Sequence, residues 1–289
     1  MTPPASPDWQ RAWPAPAKIN LFLHVVGRRA DGLHLLQTVF RFIDRSDTLH
    51  FSPRTDDRIV LATPLPGVPP GQDLTVRAAQ ALQQATGHTQ GVEIRLDKCL
   101  PMGGGLGGGS SDAATVLLAL NHLWRAKLTP AQLQTIGLTL GADVPIFIHG
   151  RAAFAEGVGE RFSEVSLPPA WYLVLVPPVA VPTAQIFRSP DLRRDTPVIA
   201  PGNWQPGMGG NDLEPVACAL YPMVAEYLAW LKQIAPAGKA RMSGSGACVF
   251  AEFPDEAAAG RAHAALPGNM TGFVARGLDD HPAKNLPPI

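Results

Sequence analysis

Pro101-Met102-Gly103-Gly104-Gly105-Leu106-Gly107-Gly108-Gly109-Ser110-Ser111-Asp112 leads directly into the apolar run Ala113-Ala114-Thr115-Val116-Leu117-Leu118-Ala119-Leu120. Six glycines in seven positions leave the backbone bare, whereas the run that follows reads as a buried helix. A glycine loop feeding a helix N-terminus presents unpaired N–H groups and the positive end of the helix dipole. That combination suits an anion, and phosphate best. Glycine is required there because a Cβ would block close approach and forbid positive φ. The segment therefore implies a phosphorylated ligand.

Two familiar phosphate motifs do not account for it. Gly103 to Gly108 formally matches G-x-G-x-x-G, but a dinucleotide fold wants an acidic residue about 20 positions on to hold the ribose. No Asp or Glu occurs between Ala113 and Ala142. The pattern G-x-x-x-x-G-K-[ST] fails because no lysine follows the last glycine. A flexible glycine–serine linker is the bland reading, and such a linker does not normally run straight into a fully apolar helix.

The bulk composition sets outer limits. A chain of 289 residues can bury a large core as one or two domains. With 24 basic and 24 acidic residues the net charge is zero, which gives no pull towards nucleic acid or an anionic membrane. No run of apolar residues is long enough to span a membrane. The start, Met1 to Pro7, lacks the basic and apolar regions of a signal peptide. Cys99, Cys218 and Cys248 are widely spaced and odd in number, which implies a reducing compartment, no zinc site and three buried fillers.

Along the chain, Ala17–Val26 alternates as a strand, and Asp31-Gly32 signals a hairpin turn into an extended Leu35–Ile43. Short strands are expected at His50-Phe51, 59–61 and 92–96. A helix is expected from Asp73, as cap, to Ala85. Thr129-Pro130 opens another helix to about Leu140. Ile146–Ile148 and Ala152–Ala155 read as strands joined at Gly150, and Trp171–Val176 as the strand opening a second half. One helix is expected from about Glu214 to Ile234 and another from Asp255 to Leu266, around a strand at 247–251, with a last strand at 273–275. Both ends and the segment Pro197–Gly210 look loop-like or poorly ordered. Strands mixed with hairpins and helices indicate an α+β fold.

Three further segments bear on the ligand. Arg241-Met242-Ser243-Gly244-Ser245-Gly246-Ala247 is a second glycine cluster that could close a phosphate pocket. Lys18 shares a strand face with Asn20 among apolar neighbours. Taken alone it reads as an edge or snorkelling lysine. Asp143, in Gly141-Ala142-Asp143-Val144-Pro145, taken alone reads as a turn aspartate satisfying backbone N–H groups.

Together, Pro16-Ala17-Lys18-Ile19-Asn20-Leu21, the 101–114 loop, Gly141–Pro145 and Gly244-Ser245-Gly246-Ala247 resemble the GHMP small-molecule kinases. Gly27–His34, Leu36–Phe40 and Pro182-Thr183-Ala184-Gln185-Ile186-Phe187 narrow the resemblance to the branch whose acceptor alcohol carries a cytidine diphosphate. The similarity runs from about residue 14 to 280. It implies a two-domain fold, with an ATP-binding domain over 1–166 and a C-terminal domain over 167–289. The active site would lie in the cleft between them. The implied reaction is ATP-dependent phosphorylation of the 2-hydroxyl of a cytidylyl methylerythritol, on the non-mevalonate route to isoprenoid precursors. The resemblance also implies the cytoplasm, a small-molecule partner without nucleic acid or membrane, and a monomer or weak homodimer.

On that resemblance, the loop of Pro101, Met102, Gly103, Gly104, Gly105, Leu106, Gly107, Gly108, Gly109, Ser110 and Ser111 would wrap the ATP phosphates, with backbone N–H donors from the residues after the proline. Asp143 would accept the proton of the attacking hydroxyl or only orient it, and Lys18 would keep that carboxylate ionised. Asn20 and Thr183 would help hold the substrate. Mg²⁺ would bridge the phosphates, with Ser110 or Ser111 as candidate ligands. His34 would hydrogen-bond the cytosine edge and Phe187 would stack on its face. This chain departs from the family pattern at Leu33, where a tyrosine usually completes an aromatic sandwich; the departure predicts weaker nucleotide binding without loss of specificity. A mevalonate- or homoserine-type kinase would have no use for the His34 and Phe187 segments. A non-enzymatic phosphate sensor would not need both Lys18 and Asp143.

Overall fold

The computed structural model describes residues 7–285. The reading of both ends as loop-like, and of Met1–Pro7 as lacking a signal peptide, falls largely outside those residues. The chain forms the expected α+β fold, 33% helical and 28% strand. Its spine is a long hairpin: β1 (Trp13–Arg28) pairs antiparallel with β2 (His34–Pro53), from Trp13 opposite Leu49 to Arg28 opposite His34. The Asp-Gly signal marks the turn, with Gly32 at φ +88° and Leu33 N donating to the Asp31 carboxylate. The two strands expected at Leu35–Ile43 and His50-Phe51 are one continuous strand. Its far half is paired by β4 (Val92–Asp97), which explains why the polar Asp44–Asp47 stretch does not end it.

Most of the other pairing is antiparallel. β3 (Ile59–Leu61) runs parallel to β4, while β5 (Ala153–Glu156) lies on β2 and is itself paired by β6 (Arg161–Glu164). In the C-terminal half β7 (Trp171–Leu175) sits between β9 (Val249–Phe253) and β10 (Gly272–Leu278), with β8 (Ala240–Met242) on β9. β10 joins the halves by pairing with β2 at Ile43 and Phe42.

Helices cover this sheet in two groups. α1 (Leu74–Thr86), α2 (Gly108–Leu123), α3 (Pro130–Leu140) and α4 (Val144–His149) pack on the hairpin over a core that includes Trp13, Phe42, Leu82, Leu117 and Phe147. Asp73 caps α1 through its carboxylate, and Thr129 with Gln132 forms a capping box on α3. α7 (Pro222–Ile234) and α8 (Glu256–Ala264) cover the second half over Leu173, Leu228, Leu231 and Ala259. α5 (Thr183–Arg188) and α6 (Glu214–Leu220) are short.

Four expectations need correction. Ile146–Ile148, expected as a strand, lies in α4. A short apolar run buried on all sides has no period that separates strand from helix, and Pro145 is acceptable in a first helical turn. The single helix expected from Glu214 to Ile234 is two, because Pro222 cannot continue α6 and starts α7 instead. Only Cys248 of the three cysteines is buried: Cys218 is half-buried and Cys99 exposed, at the end of β4 where its backbone N–H is bonded to Asp47. The segment 197–210 is a loop, but Trp204 pins it by stacking on Phe22 at 5.8 Å.

Candidate active site

Lys18 comes from the middle of β1, where every neighbouring apolar side chain is buried, and it is itself only 2% exposed. Its ammonium donates to Asn20 Oδ1 at 2.7 Å and to the Gly105 carbonyl at 3.1 Å, and pairs with Asp143 Oδ2 at 3.1 Å. Asn20 is fixed in turn by donating to Thr38 Oγ1 at 2.9 Å, and Thr38 donates to the Phe22 carbonyl. The strand alternation that puts residues 18 and 20 on one face therefore builds a rigid polar row in an apolar strand.

Asp143 stands at the N-cap position of α4, but its backbone is helical and its carboxylate makes no cap bond. The turn role that its local sequence suggested is absent, and the carboxylate instead reaches Lys18. The Asp143 side chain is 37% exposed, so one end of the pair faces solvent while the other is sealed.

The glycine loop lies alongside. Gly103, Gly105 and Gly107 all have φ near +70°, and the first intrahelical bond of α2 is Ser111 N to the Gly107 carbonyl. The N–H groups before it open the helix end. Loop and strand are tied by Lys18 N to the Leu106 carbonyl, and Leu106 is buried as an anchor. The second glycine turn straps the first: Ser243 Oγ donates to the Gly105 carbonyl at 2.9 Å and Cys248 N to the Gly104 carbonyl at 3.0 Å. Asn211, which the sequence reading missed, holds that turn by donating to the Met242 and Gly244 carbonyls.

A cleft of about 570 Å³ runs between these parts. Lys18, Asn20, Asp143, Thr183, Phe187, Gly244–Gly246 and most of the 101–110 loop line it. Leu106 and Ser111 do not, being buried beneath the loop, and of the two serines only Ser110 faces the cleft. His34 and Leu33 are also outside its lining. His34 lies against Phe187 with ring centroids 4.9 Å apart, and Leu33 is 52% exposed at the hairpin tip. Thr183 Oγ1 is hydrogen-bonded to Ser245 Oγ at 2.7 Å, which ties α5 to the second turn.

Sequence reasoning also missed the charged cluster under the helix end. Lys98 Nζ bridges Asp47 at 2.5 Å and Asp112 at 2.7 Å, and Asp112 Oδ1 has no hydrogen-bond partner. Burial pushes the Asp112 carboxyl up to about 7, against the pull of Lys98, while the two carboxylates outweigh burial and raise Lys98. An acid raised from 3.8 to about 7 loses folding stability as pH climbs through that interval, because only the unfolded chain then releases the proton freely. Asp112→Asn should therefore gain stability relative to the wild type between about pH 4 and about pH 7, and no more above. Thermal melts on both sides of the window measure this; an equal difference at both ends would refute the burial effect.

Two family models match the chain. The GHMP kinases N terminal domain matches residues 73–151 and the GHMP kinases C terminal model residues 200–271. A 4-diphosphocytidyl-2-C-methyl-D-erythritol kinase of Dechloromonas aromatica is 66% identical over 95% of this chain and 99% of its own. That of Thiobacillus denitrificans is 60% identical over 96% and 99%. A crystal structure of 4-(cytidine 5'-diphospho)-2C-methyl-D-erythritol kinase superposes with a TM-score of 0.78 at 36% identity, over 92% of this chain and 99% of that one. A homoserine kinase of Cytophaga hutchinsonii shares the fold alone, with a TM-score of 0.68 at 18% identity over 93% and 94%. With matches of that extent over both halves of the chain, it belongs to the 4-diphosphocytidyl-2-C-methyl-D-erythritol kinase family of the GHMP kinases.

Proposed function

We propose that the protein transfers the γ-phosphoryl group of ATP to the 2-hydroxyl of 4-diphosphocytidyl-2-C-methyl-D-erythritol. The observation that carries this reading is the Lys18–Asp143 pair at 3.1 Å, set in one cleft between a glycine-cradled helix end and the α5 side chains Thr183 and Phe187. The helix end suits the triphosphate, and the apolar Leu65, Val68 and Leu74, which line the same cleft, suit adenine.

In the transfer, the acceptor hydroxyl gives its proton to Asp143 as its oxygen bonds to the γ-phosphorus. The bridging P–O bond breaks and ADP leaves. Lys18 pairs with the Asp143 carboxylate beforehand and faces the developing charge afterwards. The partly exposed carboxylate can then return the proton to water. Asn20 aligns Lys18. Mg²⁺ fits this site as a phosphate-held ion: Ser110 faces the cleft and the lining residue Asp112 has an orphaned oxygen, both hard ligands. When bound, it would neutralise phosphate charge.

The reading divides the chain at 166/167 and sets it in the cytoplasm beside its ATP, as a monomer or weak homodimer. Purified protein with ATP, Mg²⁺ and the cytidylyl substrate should release ADP, whereas parallel reactions with mevalonate or homoserine should not. Turnover of either of those in place of the cytidylyl substrate would end the proposal. Leu33→Tyr should lower the substrate Kd about fivefold, since a stacked base is worth about 1 kcal/mol or more. An unchanged or raised Kd would remove position 33 from the base site.

A further inference from the structure

Arg194 makes four hydrogen bonds from one guanidinium. Its NH2 donates to the Phe187 carbonyl at 2.9 Å and the Ser189 carbonyl at 2.7 Å, at the C-terminal end of α5, and its NH1 to the Leu192 carbonyl at 2.9 Å. Its Nε donates to His34 Nε2 at 3.1 Å, from the other end of the chain. The segment around it is anchored: Leu192 is buried in the C-terminal core, while Thr196 N donates to the Val25 carbonyl and Thr196 Oγ1 to Asp212, which also accepts from Val25 N. Arg194 is thus a fixed bracket between the helix that carries Phe187 and the strand that begins at His34.

A guanidinium can only donate, so His34 Nε2 must accept. The imidazole is then neutral, with its proton on Nδ1. Protonation would cost the bond to Arg194 and set a third positive charge beside those of Arg194 and Arg28. Burial first, and then these two arginines, lower the pKa of His34.

We propose that Arg194 is a positioning residue for the nucleobase: it fixes the His34 ring against Phe187 and holds it in the Nδ1–H tautomer, so that His34 meets the cytosine as a neutral hydrogen-bond donor. This rests on the acceptor proposed above. Acceptor atoms O2 and N3 of cytosine match such a donor. Neither residue's local sequence announces the link, because the two side chains are 160 positions apart.

Long-range proton–nitrogen spectra of the full-length wild type should show His34 with Nδ1 protonated and Nε2 bare. Arg194→Met should raise the KM for the cytidylyl substrate about tenfold, with kcat and the KM for ATP within about twofold. Its His34 should titrate at higher pH than in the wild type and shift towards the Nε2–H tautomer. Arg194→Lys restores charge but not the fork, so it should keep the depressed His34 titration while still weakening substrate. A wild-type His34 protonated at Nε2, an unchanged substrate KM, or a proportional loss in both substrates' KM values and kcat would each overturn the role. The spectrum of the wild type decides the first point even if a variant does not fold. Failure of the wild type to turn over the cytidylyl substrate would instead overturn the acceptor.

Discussion

Asp143→Asn should lower kcat by about 10²–10⁴-fold and leave the Kd for ATP within about twofold. The amide keeps the size of the carboxylate but cannot take the hydroxyl proton, and it leaves Lys18 with a buried charge and no counter-ion. Folding should survive, because Lys18 keeps its bonds to Asn20 and Gly105 and the lost partner was partly in water. Single-turnover kinetics with ATP titrations separate the two effects. A variant that turns over normally but binds ATP poorly would make Asp143 a binding group. A smaller loss, under about tenfold, would favour the view that it only orients the hydroxyl.

Gly105→Ala should weaken ATP binding by at least about tenfold and destabilise the fold by about 2 kcal/mol or more. Gly105 has φ +75°, and a methyl there would overlap the Ser243 carbonyl and crowd that of Gly246 at 3.1 Å. The contact is backbone on backbone, so no side chain can swing aside. The two glycine segments must separate, which breaks the Ser243 and Cys248 straps. Gly260→Ala is the matched control: it lies in α8 with open space around its Cβ, and it should raise stability slightly through helix propensity. Isothermal titration with ATP and denaturant melts measure both. If Gly105→Ala binds ATP like the wild type, the loop does not need its observed shape.

What the sequence could show was whatever is encoded locally. Asp31-Gly32, Asp73 and Thr129 each act on backbone groups within a few residues, and they appear where their chemistry put them. The glycine loop was legible for the same reason. Lys18 and Asp143 were ambiguous alone, since their meaning is a contact across the fold; only the resemblance of several segments brought them together. Asp47, Lys98 and Asp112 went unread because each looks like an ordinary polar residue beside an apolar run, and the partners Asp47 and Lys98 are 51 positions apart. Arg194 and Asn211 share that blindness. α4 was misread because total burial erases periodicity, and the α6–α7 break because the apolar pattern runs on through the proline.

The straps between the glycine segments bear on how the protein comes into being. Gly104 and Gly105 receive their bonds from Ser243 and Cys248, well over a hundred residues later in the chain. During synthesis the early half can collapse while the later half is still unmade. The phosphate cradle is then left without two of its supports until the strand after Ser243 has emerged and docked. Nucleotide binding would thus report completion of the molecule, not of its first half: a nascent chain stalled before Ser243 should bind ATP far more weakly than the released protein.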